Sequence, residues 1–115
     1  MRSAIVTREW PPEVYGGAGV HVSELVKSLR DLIDVDVYCL GAERADAFAV
    51  PLASSAELSP ALAVVQADVQ LAQAISNTAP EVVHSHTWYA NLAGSLAAQS
   101  LDVPHLITAH SLEPR

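Results

Sequence analysis

The chain predicts an open parallel α/β sheet with helices on both faces, a Rossmann-like fold. Three observations carry that expectation. Short apolar-rich runs recur at Ser3 to Thr7, Val35 to Leu40, Glu81 to His84 and His105 to Ala109, and Ala4-Ile5-Val6 lacks polar alternation, as a parallel strand covered on both faces would. Stretches with apolar residues at three- and four-residue steps lie between them, and this alternation signals parallel strands joined by helices. Gly16, Gly17 and Gly19 stand between the first strand and the first helix, where a bare backbone can approach a ligand closely.

The elements follow in order. Ala4-Ile5-Val6 is the centre of the first strand, and Pro11-Pro12 interrupt regular structure after it. A helix is expected from Val20 to Leu32, with Val22, Leu25, Val26, Leu29, Leu32 and Ile33 on its apolar side and Glu24, Lys27, Arg30 and Asp31 opposite. Val35 to Leu40 is the second strand. The stretch from Gly41 to Pro60 is the hardest to read, with Ala47 to Leu52 as an irregular edge strand. Ser59-Pro60 reads as an N-cap followed by proline at the first helical position, opening a helix with a stripe of Leu62, Val65, Val69, Ala72 and Ile75. After Pro80 comes the third strand, then Thr87 as the cap of a helix from Trp88 to Ser100, then the last strand.

Right-handed crossovers limit the strand orders. The favoured one puts strand one between strands two and three, with strand four outside three. A crevice then opens at the carboxyl ends of strands one and three, where the order reverses. The glycine loop and His84-Ser85-His86 would meet there, with His110 next along the rim. The glycine loop followed by a helix N-terminus suits an anion, most often a phosphate. It is not the dinucleotide fingerprint, because Val22 occupies the place of the third glycine, and it lacks the Gly-Lys-Ser/Thr of a Walker loop.

Composition excludes some functions. A net charge of −7 argues against a broad basic face for nucleic acid or an anionic membrane. Cys39 is the sole cysteine, so no disulfide framework exists and a reducing cytoplasm is the expected compartment. The opening apolar run is too short for a signal peptide and no stretch is long enough to span a bilayer. His84 and His86 share a face of an extended strand. With His110 they form one alternative, a three-histidine zinc site, while His84 could equally be a hydrogen-bonded core residue. His110, at a strand tip, is placed to donate a hydrogen bond to a ligand. His21 reads as a helix-surface residue and His105 as a strand-start residue. Trp88 and Tyr89 read as packing residues that could also line a sugar site.

Three segments, Arg8 through Val22, His84 through Tyr89 and Thr108 through Pro114, together resemble the N-terminal part of retaining glycosyltransferases of the glycogen synthase type. The likeness is strongest to bacterial enzymes that use ADP-glucose to make glycogen or maltose 1-phosphate. It implies a GT-B architecture, two Rossmann-like domains facing across a cleft, with residues 1–115 as a partial acceptor-side domain and the donor-binding domain absent. By that resemblance Tyr15, Gly16 and Gly17 bind substrate, the glycines approaching the donor diphosphate. His86 and Thr87 line the pocket, and His110 contacts the transferred glucose as the catalytic residue. No cofactor is implied beyond ADP-glucose as co-substrate, and the acceptor is a glucan or a sugar phosphate. Thr87 stands where many glycogen synthases carry Asp, which points toward a small phosphorylated acceptor. Half a cleft cannot perform the transfer, so the segment alone is expected to be inactive, and its open sheet edge to favour a homo-oligomer. A non-enzymatic, flavodoxin-like nucleotide-binding or interaction module is the competing expectation.

Overall fold

The computed structural model describes residues 1–12, 14, 17–52 and 59–109. Among these, strands β1 (Arg2–Thr7), β2 (Asp34–Leu40), β3 (Phe48–Val50), β4 (Val82–His86) and β5 (His105–Thr108) form one sheet in the order β3-β2-β1-β4-β5. Every pairing is parallel. Helices α1 (Gly17–Leu29), α2 (Pro60–Ser76) and α3 (Trp88–Leu101) supply the crossovers. The order is the expected one, extended by the short edge strand β3.

Alternation along the strands sorts the core into two layers. Ile5, Val35, Val37 and Cys39 pack with Val22 and Val26 of α1 and with Trp10. Ala4, Val6, Tyr38, Leu40 and Val83 face the other way, against Leu71, Ile75, Ala93 and Ala97 of α2 and α3. Burying a side chain such as Ile5, Leu71 or Ile75 stabilises the fold by roughly 1.5–3 kcal/mol each. The chain therefore changes face between β1 and β4: the helix after β1 lies on one side of the sheet, the helix after β4 on the other.

Several local expectations need correction. α1 begins at Gly17, three residues before Val20, and ends at Leu29. Leu32 lies in the following turn and is exposed, because the helix has already ended. The edge strand is confined to Phe48–Val50. The stripe on α2 is rotated: Ala63, Ala67, Asp68, Leu71, Ala72 and Ile75 are buried, while Leu62, Val65 and Val69 are exposed. Alanines on α2 meet Ala93 and Ala97 of α3 in the same cluster, and small side chains let the two helices approach closely. Ser59 does cap α2, its hydroxyl accepting from the Leu62 amide at 3.2 Å, with Pro60 in the first turn.

Thr87 occupies the N-cap position of α3 but makes no side-chain cap hydrogen bond. Its backbone has φ 70° and ψ 160°, a region reached almost only by glycine. A cap needs a β-region backbone to aim its oxygen at the first-turn amides, and Thr87 lacks it.

Candidate functional site at the carboxyl rim

Register brings distant segments to one rim. Thr7 at the end of β1 pairs with His86 at the end of β4, and His86 pairs with Thr108 at the end of β5. Residues that follow these three positions therefore emerge side by side at the crevice where the chain changes face.

From β1, Arg8 and Glu9 come first. The Thr7 hydroxyl donates to the Glu9 carbonyl at 3.1 Å, turning the chain over the rim. Trp10 is buried and its indole donates to Asp46 at 3.1 Å, while Arg44 donates to the Trp10 carbonyl. The loop is thus tied to the β2–β3 connection. Its return path crosses the start of α1: a Cβ on Gly19 would lie 2.5 Å from Glu9 Oε1 and 2.9 Å from Val14 Cγ1. Gly19 is glycine because the loop touches the helix there. Gly17 is different, because a Cβ on it would meet nothing within 4 Å. No described protein group demands a glycine at that exposed first position of α1.

From β4, His86 is fully buried. Its ring lies 4.1 Å from that of His84 and 6.3 Å from that of His21 on α1, centroid to centroid. The two strand histidines share a face as the spacing implies, and His21 links that face to the helix that opens at Gly17. His84 Nε2 lies 2.7 Å from Thr108 Oγ1, so this half-buried histidine is hydrogen-bonded within the sheet. Next to them, the buried Thr87 Oγ1 has no hydrogen-bond partner among the described residues. Trp88 is 66% exposed and stacks on Tyr89 at 3.9 Å and 27°. The Arg8 guanidinium carbon sits 4.2 Å from the Tyr89 ring centroid.

The rim thus collects Arg8, Gly17, His86, Thr87, Trp88 and Tyr89. Tyr15, Gly16 and His110 lie outside the described residues, as do residues 13, 53–58 and 111–115. Among the described residues no three His, Cys, Asp or Glu side chains are grouped as a metal site. Sequence reasoning passed over Arg8 as an individual residue, because its partner Tyr89 is about eighty positions away and only strand register reveals it.

A second polar group lies on the opposite face of β4, under α3. Ser85 donates to Asn91 Oδ1 at 2.8 Å, and His105 Nε2 is 2.8 Å from the same hydroxyl. The serine has one proton and gives it to Asn91, so His105 Nε2 is the donor to Oγ. Burial lowers the His105 pKa, which favours the neutral ring. His105 is thus more than a strand-start residue: it pins β5 to β4 and α3.

The β2–β3 edge of the sheet carries no comparable site among the described residues. A cleft of about 540 Å³ is lined by Arg30, Asp36, Tyr38, Phe48 and Thr78, but its polar groups already serve one another. Arg30 donates to the Val35 carbonyl, Asp36 pairs with Arg2 at 2.7 Å, and the Tyr38 hydroxyl meets Thr78 Oγ1 at 2.8 Å.

Comparison with known proteins agrees with this geometry. Residues 15–115 match the model of Glycosyltransferase Family 4. The chain is 58% identical over 115 residues to alpha-maltose-1-phosphate synthase of Mycobacterium tuberculosis (strain ATCC 25618 / H37Rv), covering 99% of this chain and 29% of that protein. It is 55% identical over 116 residues to the protein of the same name from Mycolicibacterium smegmatis, with the same coverage. The chain therefore spans under a third of the length of these relatives. In three dimensions it resembles a UDP-GlcNAc 2-epimerase from Methanocaldococcus jannaschii, with TM-score 0.69 and 13% identity over 94% of this chain and 31% of that one. That likeness concerns the fold.

Proposed function

Since this chain belongs to glycosyltransferase family 4, we propose that it supplies the acceptor-side half of a retaining glucosyltransferase cleft. The reaction moves glucose from ADP-glucose to glucose 1-phosphate, giving maltose 1-phosphate and ADP, with an α-glucan end as the second acceptor. The bond from the anomeric carbon to the diphosphate breaks, a bond to the acceptor hydroxyl oxygen forms, and the acceptor proton leaves with the products. The relatives at 55–58% identity support this reading by name.

The observation that carries it is the rim itself: α1 opens at Gly17, where a Cβ would meet nothing within 4 Å, and His21 of the same helix lies 6.3 Å, ring to ring, from His86 at the end of β4. A helix N-terminus faces developing negative charge well, and a bare Cα leaves room for a diphosphate. In this reading Tyr15, Gly16 and Gly17 meet the donor, His86 and Thr87 shape the pocket, and His110 contacts the transferred sugar. Diphosphate departure needs charge stabilisation from the facing side of a closed cleft, so residues 1–115 alone are inactive. No cofactor is required beyond the sugar nucleotide, and the cytoplasm, where such donors are made and Cys39 stays reduced, is the compartment.

Transfer assays on the full-length protein test this, with ADP-glucose as donor and glucose 1-phosphate or glycogen as acceptor. Release of ADP with formation of maltose 1-phosphate is expected; a protein that turns over neither acceptor would refute the reading. Residues 1–115 alone are expected to self-associate through β5, the sheet edge, where Leu106 and Ile107 are more than half exposed. A monomer in sedimentation at high concentration would contradict that.

A further inference from the structure

We propose that Arg8, seated on Tyr89 beside Trp88, is the residue that takes the phosphate of a sugar phosphate at this rim. The proposal rests on the acceptor reading above and assigns the part of the site that recognises the acceptor's charge.

Arginines elsewhere among the described residues bind oxygen acceptors. Arg2 pairs with Asp36 at 2.7 Å. Arg30 donates to the Val35 carbonyl at 3.3 Å, and Arg44 to the Ala42 and Trp10 carbonyls. Each of these guanidinium groups has an oxygen acceptor. Arg8 has none among the described residues; its contact is the face of Tyr89 at 4.2 Å. A guanidinium lying on an aromatic ring is held through its flat face, which leaves the N–H donors around its edge pointing outward. Those donors match the oxygens of a phosphate in a fork.

Its surroundings narrow the ligand. Acidic residues outnumber basic ones by 13 to 6 in this chain, yet the described carboxylates leave Arg8 alone at the crevice. Trp88 stacks on the same Tyr89 ring, at 3.9 Å. Two groups this close to one ring centroid take opposite faces, so Tyr89 is held between the cation and the indole. The indole itself is two-thirds exposed and offers an apolar wall with a polar N–H, suited to a sugar ring. Thr87, one residue away, holds a buried hydroxyl oxygen with no protein partner among the described residues. A cation with open donors, an exposed indole and a spare hydroxyl at one corner fit a phosphate attached to a sugar better than either part alone. The same chemistry could come from the acceptor's monophosphate or the donor's diphosphate; the acceptor is chosen because the reading above already gives the donor's diphosphate to the start of α1 at Gly17.

The test uses the full-length protein, with Arg8→Ala and Arg8→Lys as variants and thermal midpoints as fold controls. Binding of glucose 1-phosphate, glucose and ADP is followed by tryptophan fluorescence, to which exposed Trp88 and buried Trp10 contribute differently. Arg8→Ala is expected to weaken glucose 1-phosphate binding by at least about tenfold, with Arg8→Lys recovering part of it because the charge remains without the fork. Glucose and ADP binding should not change, and in turnover KM for glucose 1-phosphate should rise while kcat stays within about threefold. Equal binding of glucose 1-phosphate by wild type and Arg8→Ala, or by neither, overturns the proposal. Loss of ADP affinity with glucose 1-phosphate binding intact overturns it too, reassigning Arg8 to the donor. Arg8-dependent binding without any transfer would instead refute the enzymatic reading and leave the binding site standing.

Discussion

Gly94 of α3 presents its bare Cα to the imidazole of His105: a Cβ built there would lie 2.5 Å from Nε2 and 3.1 Å from Ser85 Cβ. The ring cannot step back, because its Nε2 donates to the Ser85 hydroxyl and that hydroxyl is engaged with Asn91. Gly94→Ala is therefore expected to destabilise by roughly 1–3 kcal/mol through overpacking, despite a helix-propensity gain of about 1 kcal/mol. Denaturant midpoints measure this. The loss should shrink in a His105→Ala background, where the obstructing ring is gone; an unchanged loss would show that the clash lies elsewhere.

Asp68 sits in the buried face of α2, 1% exposed, and its Oδ1 has no hydrogen-bond partner among the described residues. Burial raises its pKa from 3.8 to about 7. The folded state therefore holds a proton that the unfolded chain releases near pH 4. Its contribution to stability is fully present below the unfolded pKa and is lost as pH rises through about 7. Asp68→Asn should match wild type at low pH and exceed it at pH 8, measured as denaturant midpoints across that range. A constant difference at every pH would contradict the assignment.

Thr87 holds a backbone geometry that a β-branched residue seldom adopts, without a cap hydrogen bond in return. Thr87→Gly should raise stability by about 1 kcal/mol, because strain of roughly 1–3 kcal/mol is relieved against the added flexibility of glycine in the unfolded chain. Thermal unfolding of the variant reports this directly. A loss of stability would mean that the Thr87 side chain contributes packing that outweighs the strain.

Gly17 separates folding from function. Its Cβ position is open, so Gly17→Ala should leave stability unchanged or slightly improved in a helix. In the full-length protein the proposed donor contact predicts that the same change raises KM for ADP-glucose, because the proposal puts the diphosphate where the added methyl group would stand. His110→Ala should lower turnover at least about tenfold, which is about 1.4 kcal/mol of transition-state stabilisation. Steady-state kinetics with both substrates varied distinguish the two effects. Unchanged kinetics in either variant would remove that residue from the site.

Much of the architecture was legible before any coordinates. Apolar runs such as Ala4-Ile5-Val6, the Ser59-Pro60 helix start and the handedness of crossovers lead to the strand order β2-β1-β4-β5, and the sheet has it. The face of α2 was not legible. Leu62, Val65 and Val69 stay exposed while the helix buries Ala63, Ala67 and Ala72 beside Leu71 and Ile75, because small side chains let α2 approach α3 closely on that side.

By itself the sequence determined the kind of layers this protein has and which strand ends share the carboxyl rim, because local periodicity and crossover chirality are properties of short stretches. Only the tertiary structure decided that Arg8 lies on Tyr89, that His105 faces Gly94 and that Thr87 forgoes its cap. Those contacts depend on strand register, and a slip of one residue would turn each side chain to the opposite face of the sheet.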